Sequence, residues 1–76
     1  MSIIPILKAR EVVRILFKAG FKIIRQSGSH LILRHMTNPS RQTIVPIHTA
    51  EIPRGILNKI LKQAKISVGE LLKLLK

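Results

Sequence analysis

Phe21-Lys22-Ile23-Ile24-Arg25-Gln26-Ser27-Gly28-Ser29-His30-Leu31-Ile32-Leu33-Arg34-His35 decides the fold. Phe21, Ile23 and Arg25 alternate with Lys22, Ile24 and Gln26. After Ser27-Gly28-Ser29, a turn by composition, Leu31, Leu33 and His35 alternate with His30, Ile32 and Arg34. A period of two is the signature of a half-buried strand, so the stretch predicts two strands and a tight turn. Gly20 stands just ahead of it and is a stop for the preceding segment, because glycine alone adopts the left-handed conformation without strain.

That preceding segment is helical in pattern. Between Ala9 and Ala19, Val12, Leu16 and Ala19 recur at helical spacing with Val13 and Phe17 beside them, while Arg10, Arg14 and Lys18 line another face. Glu11 falls in the first turn, where a carboxylate complements the helix dipole. Beyond His35 come a polar loop, Thr37 to Arg41, and a β-branched third strand over Gln42 to Ile47. Pro46 has no N–H for a ladder, which predicts an edge strand or a strand end there. The helical period returns with Ile52, Ile56, Ile60 and Ala64 in one row and Leu57 and Leu61 in the next, and Pro53 suits the first turn. Ser67-Val68-Gly69-Glu70 reads as a capping box that opens a last short helix, Val68 to about Leu75. The expectation is one α+β domain over residues 1–76, with a core at 8–66 and a short C-terminal helix within 67–76. A three-stranded antiparallel sheet carries its helices on one face in the order α-β-β-β-α.

That arrangement leaves one sheet face bare. With Phe21, Ile23, Leu31, Leu33 and Val45 toward the helices, Lys22, Ile24, His30, Ile32, Arg34 and Ile44 point outward. Three isoleucines, Ile24, Ile32 and Ile44, on an open face mark an interface with a partner, the alternative being that sheet twist or a different register hides them. Phe17 and Phe21 are expected in the core.

Composition narrows the chemistry. The chain has 76 residues, 14 Lys and Arg against 3 acids, and a formal net charge of +11. A domain of this length buries about 60% of the surface its unfolded chain exposes, and 46% apolar residues are enough for a core. Cysteine is absent, which excludes disulfides, thiolate metal sites and thiol nucleophiles. The acids are Glu11, Glu51 and Glu70, too few and too scattered for a carboxylate-bound divalent metal or a carboxylate pair. The apolar run Ile3, Ile4, Ile6 and Leu7 is interrupted by Pro5 and Lys8, well short of the roughly 18–20 residues of a membrane span, so neither a membrane segment nor a targeting signal is expected, and the chain reads as cytoplasmic. So large a positive excess predicts an anionic partner.

If this chain does chemistry, the candidates are the imidazoles of His30, His35 and His48, the hydroxyls and the cations. His30 follows a glycine turn, and an imidazole titrates near pH 6.5, suited to proton transfer at neutral pH. RNA carries its own nucleophile, the 2′-hydroxyl, so a histidine and nearby cations suffice to cleave it without a metal. Lys22, Arg25, Arg34, Arg41 and Arg54 are candidate phosphate contacts on strands, loops or helix starts, whereas Lys59, Lys62 and Lys65 read as a solvated helix face. His35 reads as a packing or loop residue. His30 and His35 are five apart, which on a strand sends them to opposite faces, so no zinc site is expected. With the two phenylalanines in the core there is no aromatic platform for stacking bases.

Gly20-Phe21, Arg25 to His30, Val45-Pro46-Ile47-His48 and Glu51 to Ala64 together resemble the HicA toxins, small mRNA interferases of bacterial and archaeal toxin–antitoxin pairs. The resemblance runs from about Lys8 to Ser67. It implies a fold like a double-stranded-RNA-binding domain, with His30, the histidine of Gly28-Ser29-His30, as the catalytic group. It also implies metal-independent cleavage of mRNA, no cofactor, and neutralisation by a HicB-type antitoxin covering the active face. On that reading Lys22, Arg25, Ser29, Arg34, Arg54 and His48 contact RNA, with His48 open equally as a second acid/base or as a cap of the later helix, and Ile24, Ile32 and Ile44 meet the antitoxin or, as easily, a second copy of the chain. The family's Lys-Gln-Ala-Gly helix end reads Lys62-Gln63-Ala64-Lys65, with lysine in place of glycine. The alternatives are a non-catalytic module binding double-stranded RNA or another nucleic acid, and an interaction protein whose task is to bind a partner.

Overall fold

The computed structural model describes residues 4–48 and 50–75. Along the chain lie β1 (Leu7–Lys8), α1 (Ala9–Lys18), β2 (Phe21–Ser27), β3 (His30–His35), β4 (Gln42–Pro46), β5 (Glu51–Ile52), α2 (Arg54–Ala64) and α3 (Val68–Leu74). The main sheet is antiparallel in the order β2-β3-β4. This is the α-β-β-β-α layout with its added C-terminal helix, as periodicity predicts. Residues 1–3, Ile3 among them, and Lys76 lie outside the described residues. Among the described residues no helix is long and apolar enough to cross a membrane.

Each element has a local cause. α1 begins without a hydroxyl cap, but the Lys8 N–H donates to Glu11 Oε1 at 2.9 Å, half of a capping box. It ends at Gly20, φ +96°, whose carbonyl accepts from the Met36 N–H at 2.9 Å. The positive φ favours glycine, and a Cβ at that position would also press on the His35 ring, 3.0 Å from Nε2. Ser27 pairs with His30, leaving Gly28-Ser29 as a two-residue loop. With φ positive at Gly28 and not at Ser29, this is the pattern of a type II′ hairpin turn. α3 starts where Ser67 Oγ accepts from the Glu70 N–H at 3.1 Å.

The core lies between the helices and the inner sheet face. Leu16, Leu33, Val45, Leu57, Ile60 and Leu71 are its largest fully buried apolar side chains, and full burial of a side chain such as Leu33 is worth about 1.5–3 kcal/mol. Thr43 is the buried polar side chain among them, and its hydroxyl donates to Gln63 Oε1 at 2.9 Å. Arg41 serves the fold too. Its Nε donates to the Ala64 carbonyl at the end of α2 at 2.8 Å, and its guanidinium lies over Phe21 at 5.4 Å.

Several expectations are corrected. The alternation in β2 breaks at Ile24: Ile23 pairs with Leu33 but Arg25 pairs with Ile32, so Ile24 is an extra residue in a β-bulge. The bulge carries Arg25 to the outer face and Gln26 to the inner one, opposite to strict alternation. Ile32, expected in the open, is only 9% exposed, because it sits on the central strand between the directly opposed Arg25 and Ile44. Phe17 is 49% exposed rather than in the core, and it borders a groove with Val13, Leu31 and Ile47. Ile52 does not begin the row of α2. It belongs to β5, paired with Leu7, and the helix starts only after Pro53. Ile56, the next residue of that row, is 38% exposed, while Ile60 and Ala64 beyond it are buried.

The end of α2 is unusual. Lys65 takes the left-handed conformation, φ 59° and ψ 41°, where glycine would be unstrained. Its cost, about 1–2 kcal/mol, is borne so that the Ile66 N–H can reach the Leu61 carbonyl at 2.9 Å. Lys65→Gly should therefore stabilise the domain by about 0.5–1 kcal/mol after the entropy of the added glycine is subtracted. In a thermal melt this is a rise of about 3–6 °C; an unchanged or lower Tm would refute the strain.

Candidate functional site

The register of β3 with β4 builds the site. His30 pairs with Pro46, Ile32 with Ile44 and Arg34 with Gln42. The Ile47 N–H donates to the Ser29 carbonyl at 2.7 Å, and the His35 N–H to the Arg41 carbonyl at 2.9 Å. Hydrogen-bonded and non-bonded pairs alternate along an antiparallel ladder. His30/Pro46, Ile32/Ile44 and Arg34/Gln42 are therefore non-bonded pairs, with close side chains on the outer face. The nitrogen of Pro46 accordingly faces away from β3, toward the outer side of β4, where no strand needs its missing N–H.

This outer face carries His30, Lys22, Arg25 and Arg34. His30 is exposed at the first residue of β3. Past Pro46, His48 comes back beside it: the two rings lie 6.0 Å apart, centroid to centroid, inclined at 67°. Among the described residues no hydrogen bond fixes either ring. A groove of about 370 Å³ opens at the pair, bordered by Ile44, Pro46, Ile56, Lys59 and Gln63 as well as the two histidines. A shallower hollow of about 280 Å³ adjoins it, lined by Arg25, Ser27, His30, Ile32 and Ile44. His30 belongs to both.

The other sequence candidates divide. Lys22 and Arg25 reach the outer face, one by alternation and one by the bulge. Arg34 is there as well, with Nε donating to Gln42 Oε1 at 2.8 Å. Ser29 takes part through its carbonyl, which holds Ile47 and so places His48. Arg54 does not join the site: its guanidinium donates to the Ile4 carbonyl at 2.9 Å and ties the start of α2 to the N-terminal segment. Arg41 is likewise committed to Ala64 and Phe21. His35 stands on the opposite face. Its Nδ1 accepts from the N–H groups of Thr37 and Asn38 at 3.2 Å each, which puts its proton on Nε2, and its ring meets Phe21 edge-on at 5.3 Å. Ile24 and Ile44 are 37% and 46% exposed, and Ile32 floors the hollow between Arg25 and Ile44.

Two groove residues escape a reading of the sequence. Lys59 reads there as part of a solvated helix face, and Gln63 carries no signal. With Ile56 they form an i, i+3, i+7 row on α2, and α2 packs along the β4 edge, so this row becomes the far wall of the groove. The signal that finds them is the same row set against a sheet edge instead of against water. Among the described residues no three His, Cys, Asp or Glu side chains gather as a metal site would require.

A family model described as HicA toxin of bacterial toxin–antitoxin systems matches residues 9–66, most of the chain. No curated protein matches at a significant level.

Lys22 and Arg34 are directly opposed across β2 and β3. Like charges so placed destabilise a sheet by about 0.2–1 kcal/mol, and among the described residues neither has an ion-pair partner. Lys22→Glu should raise stability by a similar amount while weakening retention on a heparin column. A variant that loses stability, or elutes at the wild-type salt concentration, would show that the pair is not a strained anion contact.

Proposed function

The chain belongs to the HicA toxin family of bacterial toxin–antitoxin systems, and from that premise we propose that it is an endoribonuclease that cleaves mRNA in the cytoplasm and is held inactive by a HicB-type antitoxin. The observation that carries the reading is His30. It is an exposed imidazole with no hydrogen-bond partner among the described residues, set at the junction of two hollows on the cationic face of the sheet. In the proposed reaction its imidazole moves a proton to or from the ribose or the leaving oxygen. Lys22, Arg25, Arg34 and Lys59 offer positive charge to the phosphates. The scarcity of carboxylates supports a route that does not rely on a bound divalent ion.

The antitoxin is the counterpart expected of the exposed apolar residues on the same face. A protein seated on Ile24 and Ile44 would lie across His30 and exclude RNA, so one surface would serve substrate and inhibitor in turn.

The decisive experiment is cleavage of a messenger RNA by purified protein with and without EDTA. Wild type should cut in both conditions, and His30→Ala should be slower by about 10²–10⁴-fold, the usual contribution of a general acid or base. Binding to the RNA should survive that substitution. Binding without cleavage by wild type would favour a nucleic-acid binding module, and cleavage abolished by EDTA would sink the metal-free route. For the partner, Ile44→Asp should weaken a complex with a HicB-type antitoxin by at least about tenfold, as charge buried at an interface does. Full affinity would move the antitoxin off this face.

A further inference from the structure

We propose that His48 is the second proton-transfer group of the site, acting opposite His30 on the same phosphodiester. The proposal rests on the reading of the chain as a ribonuclease. It begins from what the reaction requires. The 2′-hydroxyl loses a proton as its oxygen bonds to phosphorus. The bond from phosphorus to the 5′-oxygen breaks, and that oxygen takes up a proton. The products are a 2′,3′-cyclic phosphate and a 5′-hydroxyl, with no net change in protons. Attack and departure are in line, so base and acid must stand on opposite sides of the phosphate. One imidazole cannot do both in the same step.

The structure has two imidazoles at the groove and no carboxylate there. Glu11 is bonded to the Lys8 N–H, Glu51 lies in β5 and Glu70 in α3. Of the groove's lining side chains, only His30 and His48 are of the type that exchanges protons readily near neutral pH. Their rings are 6.0 Å apart and inclined at 67°, neither bonded to the other nor held by another group among the described residues, so both are free to turn onto a phosphate lodged between them.

His48 is also well placed by its backbone. Pro46 is buried and its ring restricts φ. Ile47 packs against the core, and its N–H is fixed to the Ser29 carbonyl at 2.7 Å, one residue before His30. The two histidines are thus suspended from the two sides of one hydrogen bond. Such coupling holds their spacing while leaving the side chains mobile. In the step, the neutral ring takes the 2′ proton and the imidazolium gives its proton to the 5′-oxygen. The two rings end with exchanged protonation states, which proton exchange with water resets.

The test uses a short RNA carrying a cleavage site mapped with the wild-type protein, and the same RNA with sulfur in place of the bridging 5′-oxygen. A thiolate leaves without being protonated, so the sulfur substrate relieves the loss of the acid but not of the base. His48→Ala should cleave ordinary RNA at least about 100-fold more slowly, with RNA affinity and Tm close to wild type. The sulfur substrate should restore one of His30→Ala and His48→Ala and leave the other slow, which also assigns acid and base. Cleavage by His48→Ala within about threefold of wild type would overturn the proposal. So would a slow His48→Ala when the sulfur rescues neither variant. In both cases an inactive His30→Ala leaves the ribonuclease reading standing. A wild-type protein that cuts no RNA would remove both.

Discussion

The register of β3 between its two neighbours governs the rest of the molecule. Leu31, Leu33 and His35 face the helices from this strand, and His30, Ile32 and Arg34 face outward. A slip of one residue would put His30 and Arg34 in the core and Leu33 in water. Three local devices oppose that slip. Gly28 allows the two-residue turn that aligns Ser27 with His30. The bulge at Ile24 lets β2 pair along all of β3 while turning Arg25 outward. The Ile47–Ser29 hydrogen bond locks β4 at the same end. The first two lie in the hairpin and place His30 by short-range pairing, whereas His48 and the α2 wall of the groove are brought in from farther along the chain.

A chain with 14 cations and three acids cannot neutralise itself by ion pairs. Backbone carbonyls take over part of that work. Arg41 donates to Ala64 at the C-terminal end of α2, Lys18 to Leu74 at the end of α3, and Arg54 to Ile4. Helix C-terminal carbonyls carry partial negative charge, so two of these three cations sit where the dipole favours them. These contacts draw charge into the fold on the helical side. Lys22, Arg25 and Arg34 have no such anchor on the sheet side, beyond the Gln42 amide that holds Arg34. Positive charge is therefore left unanchored on the sheet face that also carries His30, with Arg25 lining the same hollow.

How much of this is legible in the sequence depends on the range of the cause. Period-two alternation locates β2, β3 and β4, and period 3.6 locates the helices, because each signal is internal to its element. Gly28-Ser29-His30 is a weak signal by residue type and neighbourhood, and it is the resemblance across the chain that singles out His30. The bulge is not legible, since one extra residue in β2 leaves no mark in composition and becomes necessary only when β3 is laid beside it. The pairing of Leu7 with Ile52 joins segments too far apart for any local pattern. Arg54 looks like a phosphate ligand until its partner, a backbone carbonyl fifty residues away, is in place. Lys59 looks like a solvated charge when its row on α2 is set against water instead of the β4 edge. Lys65 shows the converse: tertiary contacts impose a left-handed cap that its side chain disfavours.

The same geometry explains why the outer sheet face of so small a domain stays open. About 60% of the extended chain's surface is the most a domain of this length hides, and the core here uses the helices on the inner sheet face alone. Ile32 is the one outer isoleucine that the chain covers by itself, by flanking it with Arg25 and Ile44. Ile44 is left partly in water beside His30, and Ile24 partly in water at the bulge of β2. Covering them with more chain would stabilise the domain and bury the histidine. Leaving them bare keeps His30 and His48 accessible and leaves apolar area beside them that a binding protein can take. On the reading proposed here, the incomplete burial of the sheet is what lets one face be a nuclease site when alone and an interface when bound.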